Sequence, residues 1–304
     1  MSIKRIWRLL KETIKEWNED KASRLAAALA YYTMFSLAPL LVIVVAIAGF
    51  FFDRGTVQEQ LTQQIQGLVG SEGAAFAQTA LENANTPGDS TSLIASLISV
   101  VLLLVGATGV FGQLQESLNV IWNVEAKPDS AAKGFIHQRL LSFAMLVTIG
   151  FLLMVSLVLS TALAALSSYF SDLLPGMDAL WQVLNIVVSL AIITVLFALL
   201  FKYVPDVKID WNDVWTGAFI TAFLFTVGKF LLGLYLGNGG FASTYGAAGS
   251  VIVILAWVYY SAQILFFGAE FTQVYARRYG SRIRPSDHAV SLTPQAKMQQ
   301  GRPR

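Results

Sequence analysis

The stretch GSVIVILAWVYYSAQILFFGA, residues 249–269, holds 21 residues without one charge. As a helix rising 1.5 Å per residue it spans about 32 Å, the thickness of a bilayer's hydrocarbon core. Glu270 follows it directly, and Arg277 and Arg278 close the same segment. Working outward, five more long apolar stretches lie at 25–52, 90–115, 140–171, 179–201 and 214–236. Each is long enough to cross a bilayer. The sequence therefore predicts an all-α fold, a polytopic membrane helical bundle with six transmembrane helices.

The basic residues orient it. Of the 21 Lys and Arg residues, 19 fall on one side of this six-span reading. Lys4, Arg5, Arg8, Lys11, Lys15, Lys21 and Arg24 precede the first span, and Arg277, Arg278, Arg282, Arg284, Lys297, Arg302 and Arg304 follow the last. Lys127, Lys133 and Arg139 separate spans two and three, while Lys202 and Lys208 separate spans four and five. The other three connections hold only Arg54. Basic loops stay cytoplasmic during insertion, so both termini are expected inside, and two inner ends require an even number of spans. In a bacterium that means a multi-pass protein of the inner (plasma) membrane.

Composition agrees: 55% of residues are hydrophobic and 13% charged, about half the usual charged share of a soluble domain. One membrane domain, residues 25–275, accounts for most of the chain. It is preceded by a cytoplasmic amphipathic helix over 1–24 and followed by a basic cytoplasmic tail, 276–304, expected to be disordered. The first apolar run, at 28 residues, exceeds a 7–15-residue signal core and is expected to stay as an anchor. With no cysteine, disulfides, thiolate metal sites and cysteine nucleophiles are excluded.

In the N-terminal segment Ile3, Ile6, Trp7, Leu10, Ile14 and Trp17 recur at helical spacing, with Lys4, Arg5, Arg8, Lys11 and Lys15 on the remaining faces. Two placements fit: a helix in the cytoplasmic headgroup layer, or a foot packed under the bundle. Pro39 inside the first span predicts a kink near residues 35–36, with Tyr31, Tyr32, Thr33 and Ser36 as polar company for freed carbonyls. The connection 53–89 carries Val57, Leu61, Ile65 and Leu68 at helical spacing and then an alanine-rich run, which predicts two short helices over the outer mouth. Its acids, Asp53 among them, read as a solvated face. Gly106, Gly109 and Gly112 allow close packing or local unwinding of span two, of which packing is the expectation.

A family resemblance rests on Lys202-Tyr203-Val204-Pro205-Asp206, then Trp211, Gly217, Lys229, Tyr235 and Thr244-Tyr245-Gly246-Ala247-Ala248-Gly249. Residues 255–263 and Gly268-Ala269-Glu270 continue it, with Ala28-Leu29-Ala30-Tyr31-Tyr32 and Ser36-Leu37-Ala38-Pro39-Leu40 near the start. Over about residues 5–280 the chain resembles the bacterial YihY/BrkB family, labelled "ribonuclease BN" in older usage. The resemblance implies a six-span inner-membrane protein and no defined mechanism.

Lys229 and Glu270 are the ionisable residues inside the spans, where charge is a functional candidate by default. Antiparallel spans put them at different depths, so no direct ion pair is expected. Lys229 shares a face with Ala218, Ala222, Thr226 and Gly233, a small-residue face of the kind that packs into a bundle. It either borders a polar cavity or snorkels to the outer interface. Glu270 aligns with Tyr260, Gln263 and Gln273 in a polar stripe, with Arg277 or Arg278 as expected partners. Substrate-path candidates are Lys229, Glu270, Tyr260, Gln263, Thr226, Tyr31 and Tyr245. Pro39, Gly237, Gly239, Gly240 and Gly246 are kink or gate candidates, the glycines in a connection that reads equally as a mobile gate or a tight turn.

Chemistry excludes more than it assigns. The two histidines, His137 and His288, stand far apart, and Asp206, Asp210 and Asp213 read as helix N-terminal acids rather than a catalytic cluster. No phosphate-binding nucleotide loop is present. The chain reads as a non-enzyme without cofactor or metal, with membrane lipids and an anionic amphiphile as partners and no nucleic acid. Transport of an envelope-associated amphiphile, as transporter or flippase, is the leading reading. A non-catalytic scaffold for envelope assembly is the alternative.

Overall fold

The computed structural model describes residues 3–49, 53–85, 109–127, 178–238, 249–281 and 283–292. Spans two and three therefore lie largely outside the described residues. In chain order the elements are α1 (Ile3–Glu19), α2 (Ala22–Ala48), α3 (Arg54–Val69), α4 (Ser71–Asn85), α5 (described over 109–121) and β1 (Val124–Ala126). They continue with α6 (Asp178–Tyr203), β2 (Val207–Lys208), α7 (Trp211–Asn238), α8 (Gly249–Tyr279), β3 (Arg284–Pro285) and β4 (Ala289–Ser291).

Three described helices, Trp181–Tyr203, Trp211–Gly233 and Gly249–Tyr279, are long and apolar enough to cross a membrane. Large apolar side chains stand exposed along them: Val183, Ile186 and Val187 on α6, and Phe219, Phe223 and Phe230 on α7. A soluble protein rarely leaves so continuous an apolar surface uncovered. Tyr203, Trp211, Trp215 and Tyr279 are exposed where α6 ends, α7 begins and α8 ends. Such amphipathic rings favour the headgroup level.

Helices α7 and α8 cross on a reciprocal glycine–threonine contact. A Cβ on Gly217 would overlap Thr272 Oγ1 and lie 2.7 Å from its Cβ. A Cβ on Gly268 would overlap Thr221 Oγ1 and lie 2.8 Å from its Cβ. Each threonine hydroxyl donates back along its own helix, Thr221 to Gly217 O at 2.7 Å and Thr272 to Gly268 O at 2.6 Å. The polar groups are thus satisfied without a water at the crossing, and the backbones approach as small residues permit. Ala218 and Ala222 are completely buried beside them. Phe225 then ties three helices together, its ring 5.7 Å from Phe197 on α6 and 6.2 Å from Trp257 on α8.

α1 packs under the bundle on one face and shows another to the surroundings. Leu9 and Thr13 are buried, Leu9 against Phe271 and Val274 of α8. Ile6, Trp7 and Ile14 are exposed, Trp7 at 69%, alongside exposed Lys4, Arg5, Arg8, Lys11 and Lys15. Lys21, at φ 54°, takes the left-handed conformation that ends one helix before the next begins. α2 continues through Pro39 as one helix from Ala22 to Ala48. Thr33 does not serve the carbonyl that the proline frees, because its hydroxyl donates to Leu29 O at 2.7 Å. At the far end, α3 and α4 pack on α2 through Leu41, Val45, Ala77 and Leu81. Asp53 caps α3, its Oδ2 accepting from Thr56 N–H at 3.0 Å, a local role that a merely solvated acidic face does not capture. These hydrogen bonds from Thr56 hold its carboxyl below the usual range. Gly109 of α5 faces α2: a Cβ there would lie 3.5 Å from Tyr32 Cδ1 and 3.8 Å from Ser36 Oγ, ordinary contact.

The tail corrects the sequence expectation. Residues expected to be disordered form β3 and β4, which pair antiparallel with β2 and β1 respectively. Val207 stands opposite Pro285, and Glu125 opposite Val290. Basic composition pointed to an unstructured segment, but the loops after α5 and α6 offer strand edges whose amides and carbonyls need partners.

Candidate functional site

Beyond the glycine–threonine crossing lies a groove of about 400 Å³ between α7 and α8. Leu224, Val227, Gly228 and Leu231 line it from α7, Tyr260, Gln263, Ile264 and Phe267 from α8, and Trp17 of α1 closes it. Both helices supply positions i, i+3, i+4 and i+7, one face of a 3.6-residue period. Ile264 and Tyr260 pack directly over Gly228, where a Cβ would lie 2.6 Å from Ile264 Cδ1 and 2.9 Å from Tyr260 Cε1. None of the described lining residues is charged. Two of them hold buried polar atoms, Gln263 Oε1 and Trp17 Nε1, neither with a hydrogen-bond partner among the described residues.

Tyr260 and Gln263 therefore come together in one groove. Glu270 and Gln273 continue the same helix inward and are buried, Glu270 completely and Gln273 to 3% exposure. The stripe passes from a groove wall into packed protein. Lys229 is half-buried and is not among the groove-lining residues. The pairing of Gly217 with Thr272 and Gly268 with Thr221 puts Lys229 level with about residue 260. Glu270 is then level with about residue 219, and the two charges sit about 15 Å apart along the axis. Thr226 donates to Ala222 O at 2.8 Å within its own helix. Tyr31 is exposed on α2, its ring 4.8 Å from Phe35, and takes no part in the groove. Gly237 lies in the last turn of α7 rather than in a loop, because the helix outruns the apolar stretch. Tyr245, Gly239, Gly240 and Gly246 lie outside the described residues.

The expected Glu270 partners point elsewhere. Arg277 Nη2 donates to Glu12 Oε1 at 2.7 Å and Glu16 Oε1 at 2.8 Å, and Arg278 Nε pairs with Glu12 Oε2. This network straps α1 to the end of α8. Its acids, one turn apart on α1, were hidden among that segment's basic residues.

Two aspartates read as helix caps turn out to be tie points. Asp206 accepts from Asn119 Nδ2 at 2.8 Å and from Gln115 Nε2 at 3.2 Å to each oxygen, and its own N–H donates to Asn119 Oδ1 at 2.8 Å. Asp213, in the first turn of α7, accepts both the N–H and the hydroxyl of Ser281 at 2.9 Å. A Cβ on Gly280 would overlap that carboxylate. Lys202 donates to Ile209 O and stands 5.6 Å from the centroid of the Trp211 ring. These carboxylates serve neighbouring elements, and among the described residues no three His, Asp or Glu gather to hold a metal ion.

Lys208 Nζ meets Asp287 Oδ1 at 2.7 Å, and Lys127 Nζ donates to Asp287 O at 2.7 Å. The hydrogen bond and charge of Lys208 hold the Asp287 carboxyl below its usual range. A depressed carboxylate contributes stability above its unfolded value near 3.9 and loses it as pH falls through the lower folded value. Acidification below about pH 4, or high salt at neutral pH, is expected to loosen 283–292, and Asp287→Ala to abolish that response. Hydrogen exchange of the β2–β3 amides measures it; an acid response surviving in the variant assigns it elsewhere.

Residues 13–293 match the family described as Virulence factor BrkB. A UPF0761 membrane protein of Teredinibacter turnerae is 32% identical over 93% of this chain and 64% of its own length. A UPF0761 membrane protein of Pseudomonas aeruginosa is 28% identical over 82% of this chain and 58% of its own length. One from Alteromonas mediterranea is 27% identical over 92% and 91%. The chain thus spans about three fifths of the length of the first two. No solved structure matches it. The family match over most of the chain, the relatives named as membrane proteins and the three apolar helices agree: the protein belongs to the BrkB family of integral membrane proteins.

Proposed function

We propose that the protein is a bacterial inner-membrane transporter or flippase that moves an envelope-associated, anionic amphiphile, with both termini in the cytoplasm and six spans. The observation that carries this reading is Glu270, fully buried within a helix long enough to cross the membrane. An ionisable side chain inside a membrane helix is a functional candidate by default. Half-buried Lys229 on the neighbouring helix supplies a basic group for an anionic head, and Glu270 supplies a group that can take up a proton. The reading involves no covalent chemistry, cofactor or nucleic acid. The scaffold alternative draws its support from the tight Gly217–Thr272 and Gly268–Thr221 crossing, a rigid inner half suited to holding partners.

The test is movement of labelled anionic phospholipid between leaflets of liposomes containing the purified protein. Wild type is expected to accelerate it at least about tenfold over empty liposomes, a barrier reduction of about 1.4 kcal/mol. Lys229→Ala and Glu270→Ala should remove the acceleration while eluting as folded protein. Wild-type liposomes indistinguishable from empty ones would dismiss phospholipid movement and leave the scaffold.

A further inference from the structure

We infer that α1 is a docking surface for anionic phospholipid head groups, of the phosphatidylglycerol type. The inference rests on the membrane location of the chain and not on transport, since it concerns where a peripheral helix is held. At about 100° per residue, the side chains of α1 fall into three arcs. Leu9 and Thr13 form the buried arc, Leu9 against Phe271 and Val274 of α8. Trp7, Leu10 and Ile14 form an apolar arc beside it, with Trp7 69% and Ile14 51% exposed. Lys4, Arg8, Lys11 and Lys15, all exposed, form a basic arc about 60° wide. An apolar arc adjoining a basic one is the pattern of a helix lying in the head-group layer. Its rings enter the acyl boundary and its long basic side chains reach the phosphates.

Level and charge select the partner. The uncharged stretch of α8 ends at Ala269, and Phe271 and Val274 lie within the five residues that follow. A stretch of that length fills the hydrocarbon core, so the Leu9 contact holds α1 where acyl chains give way to head groups. The acids of α1 are already taken within the chain. Arg277 pairs with Glu12 and Glu16, Arg278 with Glu12, and Lys15 with Glu19 at 3.4 Å. Lys4, Arg8 and Lys11 form no ion pair among the described residues. A layer of phosphodiesters supplies anions along the whole helix, and its acyl boundary covers Trp7 and Ile14 in the same contact. An acidic protein would have to displace lipid from that level.

The experiment uses the full chain in nanodiscs of phosphatidylcholine and phosphatidylglycerol in equal parts. Because the chain has no cysteine, Asn18→Cys takes a single fluorophore at an exposed position between the apolar and basic arcs. Phosphatidylglycerol bearing a nitroxide near its head group is expected to quench it at least about threefold more than matching phosphatidylcholine, the enrichment that several basic residues supply. High salt should erase the difference. Lys4→Gln, Arg8→Gln and Lys11→Gln combined should erase it too, with quenching by phosphatidylcholine retained and thermal unfolding unchanged. Trp7→Ser with Ile14→Ser should lower quenching by both lipids. Equal quenching by the two lipids in the otherwise unaltered chain overturns the anionic preference. A difference that survives both high salt and the triple variant overturns the basic arc as its cause. No quenching by either lipid overturns the docking surface in favour of a protein partner. None of these readouts depends on lipid movement between leaflets, so failure of the transport reading leaves them interpretable.

Discussion

Gly268→Val is expected to unfold the α7–α8 crossing, with the variant recovered mainly as aggregate and any folded fraction destabilised by at least about 3 kcal/mol. The cause is geometric. Even a single Cβ at this position would overlap Thr221 Oγ1 and lie 2.8 Å from both Thr221 Cβ and Cγ2. Valine adds two more carbons to that space. Gly217→Val should behave alike, since the same overlap recurs with Thr272. Gly233→Ala is the control: its Cβ would meet nothing within 4 Å, and alanine favours a helix over glycine by about 1 kcal/mol. A partial rescue separates steric overlap from general fragility. Gly268→Ala should cost about 1–3 kcal/mol, and adding Thr221→Ala should return part of it by removing the oxygen and methyl in the way. Size-exclusion profiles and thermal unfolding in one detergent supply the readout. A Gly268→Val variant as stable as wild type would mean the helices do not cross at this distance.

Asp206→Ala is expected to lower stability by about 1–3 kcal/mol, the cost of leaving partly buried donors without an acceptor. The carboxylate gathers the amides of Gln115 and Asn119, so its loss strands two side chains on α5 at once. Asn119→Ala should cost a similar amount, because it removes both an amide donor and the acceptor of the Asp206 N–H. The double variant should be far less than additive, with a coupling of about 1 kcal/mol or more. Additivity within error would show that the two residues act separately. The effect belongs to the loop after α6.

Much of this architecture is legible in the chain. Apolar length alone marks α6, α7 and α8, because a hydrocarbon core of fixed thickness demands it. The periodic Val57, Leu61 and Ile65 mark α3, and the face of Ala218 and Ala222 marks the buried side of α7. The crossing also had a signal that periodicity of apolar residues misses: glycine and threonine four apart, at 217 and 221 and again at 268 and 272. Tyr260 and Gln263 were readable as a polar stripe, yet their union with Trp17 was not. Trp17 lies some 240 residues earlier, and one sequence does not say which face of α1 turns toward α8. The aspartates misled for a related reason. An acid before a helix looks the same whether it caps that helix or serves a distant amide, and only the long-range partners Asn119 and Ser281 distinguish the two. Lys229 stays off the groove because it follows Gly228 by one residue, a turn of about 100° around the helix.

The paired strands after α5, α6 and α8 carry a consequence for synthesis. β1 and β2 are made long before the strands that complete them, and Lys127 waits 160 residues for Asp287. Contacts so distant in sequence form slowly and leave their partners open in the meantime. A nascent chain halted anywhere before residue 284 has two uncovered strand edges, a kind of surface that invites wrong pairing. Only a chain translated past residue 291 can close both edges.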